Sequence, residues 1–394
     1  MAELIKVGEL CEISSSKRIF AKEYQESGIP FFRGKEVTEK YNGKLNVTTE
    51  LFISEEKYLE LVSKFGVPQQ GDMLLTSVGT LGSTYIVKGS DKFYFKDGNL
   101  TWFKNFKGLN SQYFQYWLES PEGKGQLRKS EIGSSQSAYT IANLKEMQIS
   151  LPSIDDQLHA VSYIEKYDNL IENNNRRIAI LEDVAQSLYR EWFVNFRYPN
   201  HQDNLDAEGN PKLIDSPLGQ IPEGWEFKRL DDYVELQRGF DLPKDKRNVD
   251  GGVPIYAASG LTGYHNEIKV RGPGIVTGRS GTLGIVKLVL EDHWPLNTSL
   301  WVKKFRNCTA YYAYYLLDSI GLERFNSGAS VPTLNRNDVH GNPVISPPNE
   351  LIDKFEGIAA VVHKQINVLQ RKDENLKQQR DMLLPKLISG QIEL

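Results

Sequence analysis

Two motifs in this chain have the spacing of enzyme sites, and each lacks residues that the chemistry needs. Gly278-x-x-Gly281-x-x-Gly284 is spaced like a phosphate-binding loop, but no Lys-Ser or Lys-Thr follows it. Glu55-x-Lys57 is a nuclease-like fragment of a kind that charged chains contain by chance. The six histidines show no metal-ligand spacing with one another or with cysteine. The sequence therefore predicts no catalytic residue and no metal site.

A third motif, Ser346-Pro347-Pro348-Asn349, is similar to the loop with which amino-methyltransferases hold their target base. The aromatic residue that stacks on the base is missing, and no glycine-rich S-adenosylmethionine loop precedes the motif. Methyl transfer by this chain is not predicted.

Polar and basic clusters remain, of the residue types that contact base edges and phosphates. Each cluster is either part of a DNA-binding surface or an ordinary solvated surface, and the sequence leaves both alternatives open. The candidate DNA-binding residues are Lys17, Arg18, Arg33, Lys35, Arg128, Lys129, Ser134, Ser135, Gln136, Arg238, Lys244, Lys246, Arg247, Arg279, Asn335, Arg336 and Asn337.

The elements that position these residues occur twice. Gly79-Thr80-Leu81-Gly82 returns 202 positions later as Gly281-Thr282-Leu283-Gly284, each time between two apolar stretches. The apolar flanks predict a tight connection between two strands in each copy. Because solenoid units are only about 20–50 residues long, the repeat indicates a duplicated globular module. The polar clusters differ between the copies, so the two modules would read two different half-sites.

A different periodicity begins at Ser153 and again near Asn349, where apolar residues recur alternately three and four positions apart. This spacing predicts two long coiled-coil helices, although amphipathic helices laid on their own domains would also show an apolar stripe. The predicted seam residues are Tyr167, Ile171, Asn174, Ile178, Leu181, Leu188 and Trp192 in the first helix, and Val362, Ile366, Leu369, Leu376 and Leu383 in the second. Asn174, Asp373 and Arg380 are polar seam positions, which either fray locally or fix the register by meeting a partner.

These patterns divide the chain into five segments. We predict domain 1 at residues 1–152, a helix at 153–198, a linker at 199–222, domain 2 at 223–346, and a second helix with a tail at 347–394. The linker assignment depends on the many Asp, Asn, Gly and Pro residues of that segment. The expected fold class is α+β: two domains of similar topology, related by pseudo-twofold symmetry and separated by two antiparallel helices.

Composition neither favours nor excludes nucleic acid. The chain has a net charge of −4, while residues 1–150 and 221–346 each carry +1. Long-range attraction to DNA by the chain alone would be weak. The sequence shows no signal peptide and no apolar run of about 18 residues, and its two cysteines lie in different modules. We expect a soluble cytoplasmic protein without membrane contact.

Three motifs carry a family resemblance. Residues 185–199 (AQSLYREWFVNFRYP), 215–225 (DSPLGQIPEGW) and 383–392 (LLPKLISGQI) resemble the conserved regions of type I restriction–modification specificity subunits. Leu151-Pro152 with Gln157 resembles the start of the central helix in that family, whereas the second helix start at Pro347-Pro348 has no matching Gln. The motifs stand in the family's order and span most of the chain.

The resemblance implies a non-catalytic DNA-reading subunit. Each domain would read one half of a bipartite double-stranded DNA site, and the helices would recruit two methyltransferase subunits. Restriction and helicase subunits would join through these, and the complex would methylate adenine. S-adenosylmethionine, ATP and Mg²⁺ would belong to the partner subunits.

Two alternatives stay open at this point. One is the recognition half of a split type II methyltransferase–nuclease, which has the same DNA role and a different partner. The other is a coiled-coil adaptor that binds only protein.

Overall fold

A computed structural model describes residues 4–44, 47–133, 137–205, 208–209, 212–328 and 330–392. The chain forms two compact units: unit 1 comprises residues 1–177 and 370–394, and unit 2 comprises residues 178–369. Both boundaries fall inside long helices. The units therefore differ from the two sequence copies, because each long helix has one end in each unit.

Unit 1 is built from short strands and helices that precede the first long helix. Its strands are β1 (Leu4–Lys6), β2 (Glu12–Ser14), β3 (Ile29–Phe32), β4 (Phe52–Ile53), β5 (Met73–Thr76), β6 (Thr84–Ile86), β7 (Tyr94–Phe95), β8 (Leu100–Lys104), β9 (Glu131–Ile132), β10 (Ala138–Tyr139) and β11 (Gln148–Ser150). Its short helices are α1 (Val7–Leu10), α2 (Gly34–Tyr41), α3 (Glu55–Lys64), α4 (Ser111–Glu119), α5 (Pro121–Lys129) and α6 (Ile141–Glu146). The long helix α7 spans Ile154–Tyr189 and continues as a π-helical turn over Arg190–Val194.

The central sheet of unit 1 has the strand order β2-β8-β5-β6, with antiparallel pairing throughout. A second sheet, β4-β3-β7, contains one parallel pair. Successive side chains of β5 pack in different hydrophobic cores. Met73 and Leu75 belong to the core that contains Trp117, and Leu74 belongs to the core that contains Trp102. Burial of both faces explains the uninterrupted apolar run in this strand.

Unit 2 begins in the last part of α7. Its strands are β12 (Leu213–Ser216), β13 (Gly219–Pro222), β14 (Glu226–Arg229), β15 (Val234–Arg238), β16 (Val253–Ala257), β17 (Gly260–His265), β18 (Gly274–Gly278), β19 (Val286–Val289), β20 (Trp294–Pro295), β21 (Ser299–Phe305) and β22 (Pro343–Ser346). Its helices are α8 (Ala310–Ile320), α9 (Arg336–His340) and the first part of α10 (Asn349–Ile388).

The sheets of unit 2 repeat those of unit 1. The orders β15-β21-β18-β19 and β17-β16-β20 match strand for strand, including the parallel pair, here β16 with β20. The repeated Gly-Thr-Leu-Gly turns connect β5 to β6 and β18 to β19, as the sequence predicts. Gly79, Gly82, Gly281 and Gly284 all have φ between 85° and 92°, a conformation that favours glycine. The duplicated α+β module is confirmed.

The copies differ in the segment after the central strand of the smaller sheet. In unit 1, α2 and α3 lie between β3 and β5, whereas in unit 2 a direct hairpin joins β16 to β17. This difference explains why the sequence match between the copies is interrupted in this region.

Part of the predicted linker forms a hairpin in unit 2. Within residues 199–222, β12 and β13 form an antiparallel hairpin. Ile221 is buried, and Trp225, just after the hairpin, lies 6.2 Å from the ring of Phe193. Gly, Pro, Asn and Asp are common in linkers, but a tight hairpin such as Ser216-Pro217-Leu218-Gly219 uses the same residue types.

Matching contacts fasten the starts of the two long helices. Gln157, fully buried, accepts a hydrogen bond from the backbone N–H of Asn110 at the start of α4 (2.8 Å). In unit 2, the carboxylate of Glu356 accepts from the backbone N–H groups of Thr309 and Tyr312 at the start of α8. Glu356 therefore fills the place of the Gln that the second copy lacks.

The long helices pair with each other and also pack on the modules. In unit 1, Ile164 of α7 and Leu387 of α10 share a core with Trp117. In unit 2, Tyr189 and Phe355 share a core with Tyr312. Of the predicted seam residues, those buried are Ile171, Trp192, Val362, Ile366 and Leu369, and those half-buried are Tyr167, Asn174, Ile178, Leu181, Leu188, Leu376 and Leu383.

The polar seam positions of unit 1 meet partners. Asn174 donates a hydrogen bond to the buried carboxylate of Asp373 (2.6 Å), and Arg380 forms an ion pair with Asp168 (2.9 Å). Residue numbers rise along α7 as they fall along α10, so the pair is antiparallel. These contacts favour the register alternative over local fraying.

We expect Asn174→Leu to destabilise this helix pair by about 1–3 kcal/mol, because the buried Asp373 carboxylate would lose its amide donor. Replacing both residues by Leu should recover most of the loss, since neither polar group then remains unpaired. Hydrogen–deuterium exchange at residues 168–177 and 370–380 would measure the effect. Exchange that is unchanged in the single variant would contradict the prediction.

Among the described residues, no helix is both long and apolar enough to cross a membrane.

Candidate nucleic-acid interface

In each unit, the repeated turn and two strand ends lie together at one end of the central sheet. We call this end the rim. Rim 1 consists of residues 15–16, 77–83, 98–99 and 137–139, and rim 2 consists of residues 238–241, 279–285, 297–298 and 330–334. Strand pairing places these segments next to one another: Thr76 lies opposite Leu100 in unit 1, and Gly278 lies opposite Ser299 in unit 2.

The two rims share their backbone hydrogen bonds and differ in their side chains. In rim 1, the N–H of Ser77 donates to Asn99 (2.8 Å), and its carbonyl accepts from Tyr139 (3.0 Å). In rim 2, the N–H of Arg279 donates to Thr298 (2.9 Å), and its carbonyl accepts from Leu334 (2.9 Å). Ser77 and Arg279 therefore occupy the same place in the frame.

The unit 1 candidates are scattered around rim 1. Lys17 and Arg18 lie over the rings of Phe65 and Phe20, respectively. Arg128 lines a cavity together with the Thr80–Gly82 turn, and Lys129 is exposed on the same helix. Ser134, Ser135 and Gln136 lie outside the described residues.

Arg33 and Lys35 stand at the start of α2, which packs beside rim 1 through a hydrogen bond from Thr38 to Ser83 (3.2 Å). Arg33 donates to the fully buried carboxylate of Glu36 (2.9 Å), and this bond raises the pKa of Arg33. Lys35 pairs loosely with Glu50 (3.8 Å). Arg33 is thus held in one orientation by Glu36, whereas Lys35 is free to reorient.

The unit 2 candidates divide into rim residues and neighbours. Arg238 and Arg279 belong to rim 2. Asn335 caps α9 by accepting from the N–H of Asn337 (3.1 Å), so its side chain has a structural role. The neighbours with exposed or half-exposed side chains are Lys244, Lys246, Arg247, Arg336 and Asn337.

The sequence patterns missed four rim residues. Ser15 accepts a hydrogen bond from the N–H of Gly98 (3.1 Å), and Ser77 bonds to Thr101 (2.6 Å). In rim 2, Asp241 accepts from the side-chain amide of Asn297. In the sequence, these residues are marked only by the number of positions that separate them from the repeated turn and from Trp102 or Trp301, which are equivalent residues in the two copies.

A cavity of about 450 Å³ lies in unit 1 between α5 and the end of α10, lined in part by Tyr41, Glu119, Arg128 and Arg380. Burial raises the pKa of Glu119 to about 7, although the charge of Arg380 opposes the shift. The folded unit therefore binds a proton here that an unfolded glutamate releases near its ordinary pKa of 4.5.

We expect unit 1 to become less stable as pH rises, because Glu119 then loses this proton. Because the folded pKa lies above the unfolded one, the stabilisation is complete below pH 4.5 and is lost as pH rises through about 7. Glu119→Gln imitates the protonated form, so its melting temperature should exceed that of the wild type by a margin that grows between pH 5 and pH 8. Thermal unfolding across this range would test it, with exposed Glu122→Gln as the control. A margin that stays constant with pH would refute the assignment.

The described residues contain no group of three or more His, Cys, Asp or Glu side chains able to hold a metal ion. Burial raises the pKa of both thiols, Cys11 and Cys308, to about 12, so neither is a ready nucleophile at neutral pH.

Known proteins resemble this chain along its whole length. The model of the family described as type I restriction modification DNA specificity domain matches residues 2–183 and 222–354. The MjaIX type I restriction enzyme specificity subunit of Methanocaldococcus jannaschii is 26% identical, over 99% of this chain and 93% of the relative. A putative MjaX specificity subunit of the same organism is 20% identical, over 100% and 94%.

Among solved structures, the S subunit of a type I restriction-modification system from M. genitalium has a similar fold. Its TM-score is 0.59 at 16% identity, and the match covers 98% of this chain and 95% of that one.

Proposed function

Because the chain belongs to the family of type I restriction–modification DNA specificity subunits, we propose that it reads a bipartite double-stranded DNA site, with one half-site per unit. The single observation that carries this proposal is the pair of rims. One backbone frame occurs twice, with Ser77 in one copy and Arg279 at the matching place in the other. A repeated frame with different side chains would recognise two different base sequences.

The chain acts in this proposal as a reader and scaffold. Two methyltransferase subunits bind its long helices and carry S-adenosylmethionine, and restriction–helicase subunits join with ATP and Mg²⁺. The partners then methylate adenine at the sites that this chain reads, and they also carry out cleavage. A DNA target would place the complex in the cytoplasm.

Charge supports a need for partners. Residues 1–150 and 221–346 each carry a net charge of only +1, so the chain attracts the DNA backbone weakly. Sequence recognition would come from the rims, and most of the phosphate contacts would come from the partners.

Sequencing of methylated bases in the host genome, with this gene intact or deleted, would test the proposal. We expect a bipartite methylated motif that disappears on deletion and returns with a plasmid copy. A methylation pattern that survives deletion unchanged would refute it.

A further inference from the structure

Rim 2 carries two arginines at places where rim 1 carries serines. Arg238 lies opposite Leu300 and directly follows Gln237, the residue paired with Trp301. Ser15 stands one residue beyond Ser14, the partner of Trp102. The pairs Ser15 with Arg238 and Ser77 with Arg279 are therefore equivalent in the two frames.

Given the proposed DNA reading, on which this step rests, we propose that Arg238 and Arg279 recognise guanines in the half-site of unit 2. The guanidinium group has a planar fork of donors that matches the O6 and N7 acceptors of guanine in the major groove. A serine hydroxyl cannot make this two-pronged contact. At the equivalent places unit 1 has Ser15, which is half-buried, and Ser77, whose buried hydroxyl bonds to Thr101, so unit 1 would read its half-site without this contact.

Arg279 is positioned before any ligand binds. Its backbone is hydrogen-bonded on both sides, to Thr298 and Leu334, and its Nη1 donates to the carbonyl of Asn297 (3.4 Å). Among the described residues, no carboxylate lies within 4 Å of its guanidinium. The remaining donors and the charge are thus available to an acceptor outside the protein.

Arg238 is oriented by the neighbouring carboxylate of Asp241. Asp241 forms an ion pair with it at 3.6 Å and also accepts a hydrogen bond from the Asn297 amide. Both charged side chains are more than half exposed, so this pair contributes little to stability. Its effect is to point the Arg238 fork, which makes Asp241 a positioning residue. Asn297 links Asp241 to Arg279, because its side-chain amide donates to Asp241 and its carbonyl accepts from Arg279.

The test replaces each arginine in the full-length chain, expressed with its methyltransferase, and reads the methylated motif genome-wide. Arg279→Lys keeps the charge but loses the fork. We expect it to reduce the preference for guanine about tenfold or more at one position of one half-site, leaving the other half-site unchanged. Arg238→Lys should do the same at a second position. Exchange of residues 1–150 identifies which half-site belongs to unit 2.

Two matched substitutions separate positioning from general damage. Asp241→Asn should weaken the preference only at the position read by Arg238. Arg306→Lys should leave the motif unchanged, because Arg306 lies at the opposite end of the same sheet and pairs with Glu235 (3.3 Å). An Asp241→Asn variant with the wild-type motif would overturn the positioning role.

Other outcomes overturn the main proposal. If Arg279 contacts phosphate, Arg279→Lys keeps the motif and Arg279→Ala lowers methylation equally at all sites. A unit 2 half-site without a G·C pair would also refute it. A wild-type chain that directs no sequence motif would instead refute the proposed function itself. Melting curves of each variant confirm folding, and the lysine variants keep the test valid if an alanine variant unfolds.

Discussion

Replacing residues 1–150 with the equivalent domain of a relative is expected to change one half-site completely and leave the other intact. Each unit has cores of its own: Leu74 and Trp102 pack together in unit 1, and Ile275 and Leu300 pack together in unit 2. A new domain can therefore bring a new rim without altering the other one. With about 1–3 kcal/mol lost for each mismatched base pair, the old half-site should be disfavoured roughly 100-fold or more.

The exchange has a structural condition. Tyr113 of the replaced segment donates a hydrogen bond to the carbonyl of Ile388 (3.2 Å), and Trp117 packs with Leu384 and Leu387. The donor domain must supply similar aromatic residues on its equivalent of α4. Mapping of methylated sites would give the result, with exchange of residues 223–346 as the reciprocal control. A chimaera in which both half-sites change would contradict independent reading.

The second large effect concerns activity. Under the proposed role, the purified chain is expected to transfer no methyl group and to cut no DNA, because Ser346-Pro347-Pro348-Asn349 lacks the aromatic residue that stacks on a target base and no glycine-rich S-adenosylmethionine loop precedes it. Mixed with its methyltransferase and S-adenosylmethionine, it should direct methylation, with adenine N6 as the expected acceptor.

Incorporation of radiolabelled methyl groups would measure this with three samples: the chain, the methyltransferase, and both together. We expect counts above background only in the third sample. Incorporation by the chain alone would be incompatible with a reader and scaffold. Heat-treated chain added to the methyltransferase is the matched control, because it keeps the composition and loses the fold.

The sequence predicts the frame well because the frame depends on local signals. The two Gly-Thr-Leu-Gly turns need left-handed backbone at fixed places, and only glycine adopts it without strain. The three- and four-residue spacing of apolar side chains, such as Ile366 and Leu369 in α10, is likewise a local property of a helix face. These features survive duplication, and comparison of the two copies makes them visible.

The rims are harder to predict because they depend on contacts between distant residues. Asp241 becomes relevant only when strand pairing brings Asn297 beside it, 56 residues away in the chain. Asn335 has the right chemistry to read adenine, yet its side chain caps a helix. Composition names the residue types that bind DNA, whereas tertiary structure decides which of them are uncommitted.

The division of the long helices between the units bears on the order in which the protein is made. Residues 178–369 are contiguous, so all of unit 2 is synthesised before residues 370–394 are added. Unit 1 waits for those residues, because Leu384, Leu387 and Ile388 complete the core around Trp117. During synthesis, the domain that begins first is therefore completed last, and the apolar surface that these three side chains cover stays exposed until they are made. A chain that terminates just after residue 369 would contain all of unit 2 and would leave the core around Trp117 incomplete in unit 1.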